Sequence, residues 1–223
     1  MEFSHEVLEK FPAICVAEGD VKGLRIKKED QELEAYKVKV TGDVKSRYTL
    51  ENVKDDPMFR AYRDFFWSVG VDPTKTRPAS EALVRRLLSG GKLPKINTAV
   101  DAYNLASALS SIPIAAFDAD KLDGTLKMRF AREGEPFLGI GMKEPVSLKP
   151  NQVILTGSKN IIAVYPYRDS DDTKVTEETK SIHIVSCGVP GIDKSKVFGA
   201  YDICARHLRQ YAGGLTTEPG LYP

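Results

Sequence analysis

The segment from residue 77 to residue 121 constrains the fold most, because two short helix patterns and a buried strand follow one another in it. Ser80 or Pro78 marks the start of the first helix, Ala82, Leu83 and Leu87 form its predicted buried face, and a glycine pair ends it. The second helix is capped near Thr98. The stretch IPIAAFDADKLDG then predicts a buried strand that runs into an acidic turn. Helices and strands alternate too closely here for an all-α or all-β domain.

Helix patterns also occur on both sides of this segment. Ser4 is a plausible N-cap for a short helix that stops at Pro12. The stretch MFRAYRDFFWSV places large apolar residues, including Trp67, at helical spacing, which predicts an amphipathic helix with its aromatic side chains in the core. The clearest helix is close to the C-terminus, where apolar residues recur at steps of four and three. These are Val197, Tyr201, Cys204, Leu208 and Tyr211.

Strand patterns fill most of the remaining chain. AICVAEG, TLKMRFA and IHIVSCG each predict a strand, and QVILTGSKNIIAVYPY predicts a hairpin broken at Gly157. In YKVKV the alternation predicts another strand, with Lys37 and Lys39 facing away from the apolar positions. We expect the tail LTTEPGLYP to be loosely held.

Composition excludes several classes of protein. Lysine and arginine total 32 against 31 acidic residues, so no global field favours nucleic acid or an anionic membrane. No run approaches 18 apolar residues and the N-terminus does not resemble a signal peptide, so we expect a soluble, cytoplasmic protein without membrane contact. Nucleotide-binding, serine-esterase and zinc-protease motifs are absent.

Cysteine and histidine residues do not indicate a metal site or a cofactor. Cys15, Cys187 and Cys204 are far apart and lack zinc or disulfide spacing, so we expect buried, inert thiols. His183 is a lone histidine on an apolar strand, which favours a structural role. The acidic segment RDSDDTKVTEET lacks the arrangement of a calcium loop, so no metal is expected.

A local basic patch lies in the otherwise neutral chain. Between residues 75 and 95, Glu81 is the only acid, whereas six residues are cationic. The cations are Lys75, Arg77, Arg85, Arg86, Lys92 and Lys95. The simplest interpretation is a solvated face, but phosphate-binding residues concentrate in this way in neutral proteins that bind RNA. Five of them (Arg77, Arg85, Arg86, Lys92 and Lys95) are the candidate RNA-binding residues.

Polar residues cluster at the start of the second helix of the segment. Asn97, Asp101 and Asn104 follow the extended stretch LPKIN, and Asp101 and Asn104 share a helix face. Short polar side chains at such positions commonly cap or tie down backbone, so each residue alone is explained structurally. Together they are candidates for the wall of a polar pocket.

Four motifs in order resemble a known family. They are INTAVDAYN, PIAAFDADKL, AREGE and VTEETK, spread over about residues 77–188. They resemble the B3/B4 domain of the bacterial phenylalanyl-tRNA synthetase β subunit, and more closely the free-standing proteins built on that domain. The resemblance implies an α+β fold with layered mixed β-sheets, packed helices and a C-terminal amphipathic helix. In the synthetase, this domain forms the editing site that hydrolyses mischarged tyrosyl-tRNA.

The resemblance also assigns positions for a site. The polar residues of the INxxVDxxN motif fall on Asn97, Asp101 and Asn104. Tyr103 stands where the family has threonine, Ala115 where it has histidine, and Val185 where a glutamate recognises the tyrosine hydroxyl. Residues 166–170 replace a glycine-rich loop, and Arg168 there suits a carboxylate or a phosphate.

The expected pocket combines the residues carried over from the family with two further polar positions. It comprises Asn97, Asp101, Asn104, Asp118, Arg168 and Val185, and its catalytic candidates are Asp101, Tyr103 and Arg168. With the tyrosine-recognising carboxylate replaced by Val185, we expect weak selectivity for tyrosine.

Three functions remain open from the sequence. The first is a tRNA-binding or RNA-binding protein that hydrolyses misacylated aminoacyl-tRNA in trans, as the resemblance implies. The second is a binding or hydrolytic protein for a small amino-acid-like ligand without RNA, and the third is a non-enzymatic RNA-binding or interaction module. A complete synthetase is excluded, because 223 residues leave no room for the catalytic core. We expect residues 1–70 to form an N-terminal α/β extension packed on the domain of residues 71–223, in one compact unit.

Overall fold

A computed structural model describes residues 1–223, which form six α-helices and three β-sheets. The helices are α1 (His5–Lys10), α2 (Gln31–Arg47), α3 (Pro57–Ser68), α4 (Ala79–Leu88), α5 (Thr98–Ser110) and α6 (Lys194–Ala212). The strands are β1 (Glu2–Phe3), β2 (Cys15–Lys22), β3 (Ile114–Asp118), β4 (Lys127–Phe130), β5 (Pro136–Phe137), β6 (Val146–Ser147), β7 (Val153–Thr156), β8 (Ile161–Val164), β9 (Arg168–Asp169), β10 (Ser181–Gly188), β11 (Leu215–Thr216) and β12 (Gly220–Tyr222).

Two five-stranded sheets form the framework. Sheet I has the order β11-β2-β10-β3, with β12 also paired to β2, and all of its pairs are antiparallel. Sheet II has the order β1-β4-β7-β8-β9, in which β1 runs parallel to β4 and the other pairs are antiparallel. The third sheet is the short pair β5-β6. The predicted α+β class with mixed sheets is confirmed.

One large apolar core joins the helices to both five-stranded sheets, and a separate cluster of five buried residues lies beside β5. The large core contains 54 buried residues, including Val7 from α1 and Tyr211 from α6. Helix α6 packs on β2 and β10 of sheet I, and α5 packs on α6. All five apolar residues of the predicted α6 stripe are buried, so the amphipathic C-terminal helix is confirmed. The predicted α1, α3 and β7–β8 hairpin are confirmed as well.

Helix α2 corrects the prediction of a strand in YKVKV. Its buried residues are Leu33, Lys37, Val40 and Val44, which are spaced by four, three and four as on one helix face. Lys37 occupies a core position of that face, so the apolar stripe is interrupted in the sequence. The remaining valines then give a false alternation with period two.

Two side chains predicted to be core residues lie at the surface. Trp67 is 57% exposed, because α3 buries the neighbouring face that carries Phe59, Tyr62 and Phe66. Ala82 of α4 is exposed, since that helix turns Val84, Leu87 and the polar Ser80 and Glu81 inward. In both helices the residue directly before the mispredicted one is buried instead: Phe66 before Trp67, and Glu81 before Ala82.

The C-terminal tail is ordered into sheet I, contrary to the expectation that it is loosely held. Strands β11 and β12 both pair with β2. Thr217 between them exchanges hydrogen bonds with Asp20: its Oγ1 accepts from the Asp20 amide at 2.9 Å, and its own amide donates to the Asp20 carbonyl at 2.9 Å. The tail therefore protects an edge of β2 that would otherwise expose unpaired backbone.

His183 has the structural position that its apolar strand indicates. Its Nδ1 lies 2.7 Å from Asp20 Oδ1 and its Nε2 lies 3.1 Å from Glu18 Oε2, so the ring joins β10 to β2. Burial by itself would lower the pKa of His183, but the hydrogen bonds to Asp20 and Glu18 raise it to about 9. None of the helices is long and apolar enough to span a bilayer.

Candidate functional site

A small cavity lies between α5, sheet I and sheet II, and we name it the inner pocket. Its volume is about 200 Å³, and 11 of its 16 lining residues are hydrophobic. Apolar side chains from β3, β7 and β8 form part of the wall. The polar and titratable side chains of the wall include Tyr103 and Asn104 on α5, Arg168 and Asp169 on β9, and Cys187 on β10.

A larger, open groove borders the inner pocket, and we name it the basic cleft. It is lined by Leu50, Lys75, Thr76, Arg77, Ala79, Ala82, Arg85, Arg86, Ser89, Tyr167 and Arg168, and contains about 640 Å³. Five of these residues are cationic and none is acidic. Ala79, Tyr167 and Arg168 line both the inner pocket and the basic cleft. The two compartments therefore adjoin at these three residues.

Arg168 stands at the junction of the two compartments, and a glycine makes room for it. A Cβ placed on Gly139 would lie 2.5 Å from Arg168 Cγ and 2.8 Å from its Cδ, so the side-chain stem crosses directly over this backbone. Beyond the stem, Arg168 Nη1 donates to the Ile140 carbonyl at 2.9 Å. The guanidinium is anchored by one hydrogen bond, and its other N–H groups remain for a ligand.

The start of α5 explains the position of Tyr103 and Asn104. Asn97 is the N-cap, and its Oδ1 accepts from the amides of Ala99 at 3.1 Å and Val100 at 2.9 Å. The helix therefore begins at a fixed residue and carries its second turn to the pocket. Asn97 itself is buried and does not line the inner pocket.

Asp101 also lies outside the inner pocket. Lys37 Nζ donates to its Oδ2 at 2.6 Å, and the Ile96 amide donates to its Oδ1 at 2.9 Å. The side chains of Lys37 and Asp101 are 7% and 2% exposed, so this is a buried ion pair. A carboxylate held in this way is engaged in structure and is not free to activate water.

Two more residues expected in the pocket, Asp118 and Val185, do not line it. Asp118 Oδ2 accepts from Thr179 Oγ1 at 2.7 Å, and its Oδ1 accepts from the Asp120 amide at 3.2 Å, which shapes the turn after β3. Val185 is fully buried on β10. Of the six residues expected in one pocket, the structure brings Asn104 and Arg168 together there, with Tyr103 beside them.

The expected RNA-binding residues also separate into two groups. Arg77, Arg85 and Arg86 line the basic cleft, whereas Lys92 and Lys95 do not. Lys95 forms an ion pair with Glu29. Arg85 is partly engaged, because its Nε donates to the buried Glu81 at 2.7 Å. Arg77 and Arg86 take part in no ion pair.

Asp169 is the functional candidate that sequence reasoning missed. It lies in a segment that resembles a solvated acidic loop, yet it lines the inner pocket and forms no ion pair. Burial raises the pKa of its carboxyl to about 7, although the Ala116 amide and the Arg168 charge act in the opposite direction. A side chain so close to neutral can exchange a proton near physiological pH.

Two other titratable groups of the pocket, on α5 and β10, are neutral. Burial raises the pKa of the Tyr103 hydroxyl and of the Cys187 thiol far above their ordinary values. All three cysteines are free and buried, which confirms the expectation for their packing. Nowhere in the chain do three or more histidine, cysteine, aspartate or glutamate side chains converge as a metal site.

Fold and pocket define a class: an α+β protein in which a small, mostly apolar cavity lies next to a basic groove. The family model of the B3/4 domain matches residues 61–213. The match covers well over half of the chain, and the protein therefore belongs to the B3/4 domain family.

Relatives of known name agree with this assignment. The chain is 35% identical over 107 residues to the phenylalanine–tRNA ligase β subunit of Gloeobacter violaceus, which covers 47% of this chain and 13% of that protein. It is 25% identical over 147 residues to the same subunit of Fusobacterium nucleatum, covering 66% of this chain and 18% of that one. The matched segment is thus a small part of each of these relatives.

A solved structure shows the same fold. An N-terminal fragment of the phenylalanyl-tRNA synthetase β subunit from Pyrococcus horikoshii superposes with a TM-score of 0.52. The match covers 96% of this chain and 49% of that fragment at 16% identity. At this identity the similarity supports only the arrangement of helices and sheets. The chemistry of the pocket has to be inferred from the residues of this chain.

Proposed function

We propose that this chain binds the acylated 3′ end of an RNA, with tRNA as the first candidate, and hydrolyses the aminoacyl ester in trans. The observation that carries the proposal is the shared wall of Ala79, Tyr167 and Arg168 between the inner pocket and the basic cleft. An aminoacylated RNA end has the same two parts, a small acyl group joined to a polyanion. A tRNA substrate would place the protein in the cytoplasm.

The charge of the basic cleft supports an RNA ligand. Its five cations face no acid of the cleft, although the whole chain is nearly neutral. Such local concentration provides phosphate contacts without a global field. The exposed Leu50 and the half-buried Tyr167 add apolar surface on which a nucleobase can rest. The relatives named above are subunits of a tRNA ligase, which makes tRNA the first RNA to test.

The inner pocket supports an acyl group of limited size. Its volume of about 200 Å³ is below the range of about 300–1,000 Å³ that drug-sized ligands need. In hydrolysis, water adds to the ester carbonyl, the bond from the carbonyl carbon to the ribose oxygen breaks, and the ribose hydroxyl regains a proton. The Tyr103 hydroxyl and the Asn104 amide are the side-chain donors available to the oxyanion of the tetrahedral intermediate.

Ala115 in the wall and Val185, its buried register partner on β10, predict slow and unselective turnover. Ala115 puts a methyl group where an imidazole would orient water, and general acid–base assistance is typically worth about 10²–10⁴-fold. The vicinal ribose hydroxyl then provides a proton relay within the substrate itself. Val185 provides no partner for a phenolic hydroxyl, so tyrosine has no special hydrogen bond there.

Charge reversal in the basic cleft tests the proposal. The double variant Arg77→Glu, Arg86→Glu should bind tRNA weakly, and the slope of log Kd against log salt should fall by about 1.4–1.8, because each of two lost phosphate contacts removes about 0.7–0.9. Arg85 is left intact, since its partner Glu81 is buried. The matched control is Lys39→Glu, Lys45→Glu on the exposed face of α2, which has the same charge change away from the cleft.

The second measurement in this experiment is deacylation. Purified protein is incubated with a panel of tRNAs charged with small, medium and aromatic amino acids, and ester loss is followed against buffer. We expect release above the buffer rate for small acyl groups and reduced release with the cleft variant. Absence of tRNA binding at low salt would exclude RNA and leave the small-ligand alternative. Binding without deacylation across the panel would leave a non-enzymatic RNA-binding module.

A further inference from the structure

We propose that Asp169 is the binding residue for a primary ammonium group, so that the inner pocket takes a small aminoacyl group whose α-amine is free. The inference deepens the proposed function and rests on it for the identity of the ligand as an aminoacyl group. It rests on the placement of one unpaired carboxylate in an apolar cavity.

The backbone around Asp169 is fixed from two sides. Strand β9 pairs with β8, where Asp169 faces Ala163 in register. On its other side, the Asp169 carbonyl accepts from the Ile140 amide at 2.9 Å. The Ala116 amide of β3 interacts with the carboxyl group across the pocket wall. These contacts fix the backbone of Asp169 and place its side chain between sheet I and sheet II.

No cation of the protein forms an ion pair with this carboxylate, although the charge of the neighbouring Arg168 acts on it. Arg168, on the same strand, directs its Nη1 to the Ile140 carbonyl and faces the basic cleft. Tyr103 from α5 and Cys187 from β10 are the titratable groups that face Asp169 from other elements, and burial keeps both neutral. Asp169 is half-buried and lines a mostly apolar cavity without an ion-pair partner. Such a carboxylate is costly, so it takes up either a proton or a cationic ligand.

The rest of the pocket limits which cation fits. The wall is mostly apolar and the volume about 200 Å³, which excludes a guanidinium on a long stem or a large aromatic amine. A primary ammonium carries three donors on one small centre, which suits a single carboxylate. An α-ammonium is also attached to every aminoacyl ester, one bond from the carbon that bears the carbonyl. The pocket therefore matches an aminoacyl group with a free amine better than an N-blocked one.

The probes alaninamide and N-acetylalaninamide test this without RNA. Binding is followed by chemical-shift changes in ¹⁵N-labelled protein. Wild type should bind alaninamide at least about tenfold more tightly than its N-acetyl derivative, since a charge-assisted hydrogen bond is lost on acetylation. Asp169→Asn should abolish the preference while keeping the shape of the side chain. Asp172→Asn, an exposed acid outside the inner pocket, is the matched control and should keep it.

The pH dependence provides a test that needs no variant. Alaninamide affinity should rise as the pH increases from about 5 to 7, because Asp169 loses its proton over this range. It should fall again above about 8, where an α-amine loses its own proton. Equal binding of the two probes, binding of neither, or an affinity that does not change between pH 5 and 7 would each overturn the assignment.

The outcomes separate this inference from the proposed function. If alaninamide binds through Asp169 but no tRNA binds, the ammonium site stands and the RNA is excluded. If the protein deacylates tRNA and Asp169→Asn slows free and N-acetylated substrates equally, Asp169 acts in proton transfer and the ammonium assignment is wrong.

Discussion

The carboxylate of Asp101 is held in the interior by a lysine from another helix. Besides binding Asp101, Lys37 Nζ donates to Glu34 at 2.6 Å and to the Pro94 carbonyl at 3.1 Å. The ammonium is thus saturated, and each of its partners fixes a different segment: α2, the loop before α5, and α5 itself. A charge of this kind contributes to stability only as long as its partner remains.

Asp101→Asn should therefore destabilise the fold without a specific effect on the pocket. The substitution leaves Lys37 with the partly exposed Glu34 as its only carboxylate partner. We therefore expect the free energy of unfolding to fall by about 2 kcal/mol, less than the about 3–5 kcal/mol of a buried charge that loses its single partner. Urea denaturation measures it, with Lys39→Gln on the same helix as an exposed control. A variant as stable as wild type but unable to deacylate tRNA would instead make Asp101 a catalytic residue.

The sequence groups Asp101 with Asn104 on one helix face, but leaves the ion-pair partner of Asp101 unknown. Lys37 and Asp101 are 64 positions apart, and no local pattern connects them. Asp169 was missed for a related reason. In the sequence it is one acid among several, and only the pairing of β9 with β8 shows that it lies between two sheets. Residue roles that depend on remote partners are outside the reach of motif and spacing.

At the scale of elements, the connection between β5 and β6 positions the side chain on β9. Gly139 and Ser170 form an isolated antiparallel bridge, and Gly139 leaves the space through which the Arg168 stem passes. The geometry of the junction between inner pocket and basic cleft therefore depends on a residue that contacts no ligand.

Gly139→Ala should weaken tRNA binding through Arg168. The added methyl group would meet the stem of Arg168 at 2.5 Å, so the guanidinium must leave its hydrogen bond with the Ile140 carbonyl. We expect several-fold weaker tRNA affinity, measured by filter binding, with a small change in melting temperature. Gly42→Ala is the control, because nothing lies within 4 Å of a Cβ there and the helix gains stability. Unchanged affinity would show that Arg168 does not contact the RNA.

The elements themselves could be predicted where their patterns are local. Helices α3 and α6 and the β7–β8 hairpin have uninterrupted apolar stripes or clear turn residues. The prediction for the segment of helix α2 was wrong because Lys37 occupies a position in its buried apolar stripe. The prediction for the C-terminal tail was wrong because β11 and β12 are too short to show alternation in the sequence. Both strands are ordered by pairing with the neighbouring edge of β2.

At the scale of the molecule, sheet I joins the two ends of the chain. Strand β2 near the N-terminus lies between β10 and the two tail strands, and the cluster of His183, Asp20 and Glu18 ties β2 to β10. These side chains are 15%, 31% and 10% exposed, so solvent screens them only in part. Such long-range pairing is not visible in any single segment of the sequence.

The stability of the whole fold should consequently depend on pH above neutrality. The pKa of His183 is raised to about 9, so its contribution is fully present below its unfolded value of about 6.5 and is lost as the pH rises to about 9. The expected decline is on the order of 2 kcal/mol, measured by urea denaturation across this range. His183→Gln should be less stable at pH 6.5 and should show a flatter profile. A wild-type profile as flat as that of the variant would contradict the assignment.

Arg168 belongs to the wall of both compartments, and this has a thermodynamic consequence under the proposed function. If RNA in the basic cleft fixes this side chain, the inner pocket is presented in one shape, and its affinity for an acyl group changes by some factor. Reciprocity then requires the acyl group to change the affinity for RNA by the same factor. With positive coupling, an aminoacylated RNA binds more tightly because it occupies both compartments. Cleavage of the ester removes this additional affinity. Product release would follow from the reaction itself, and uncharged RNA would be a weak competitor.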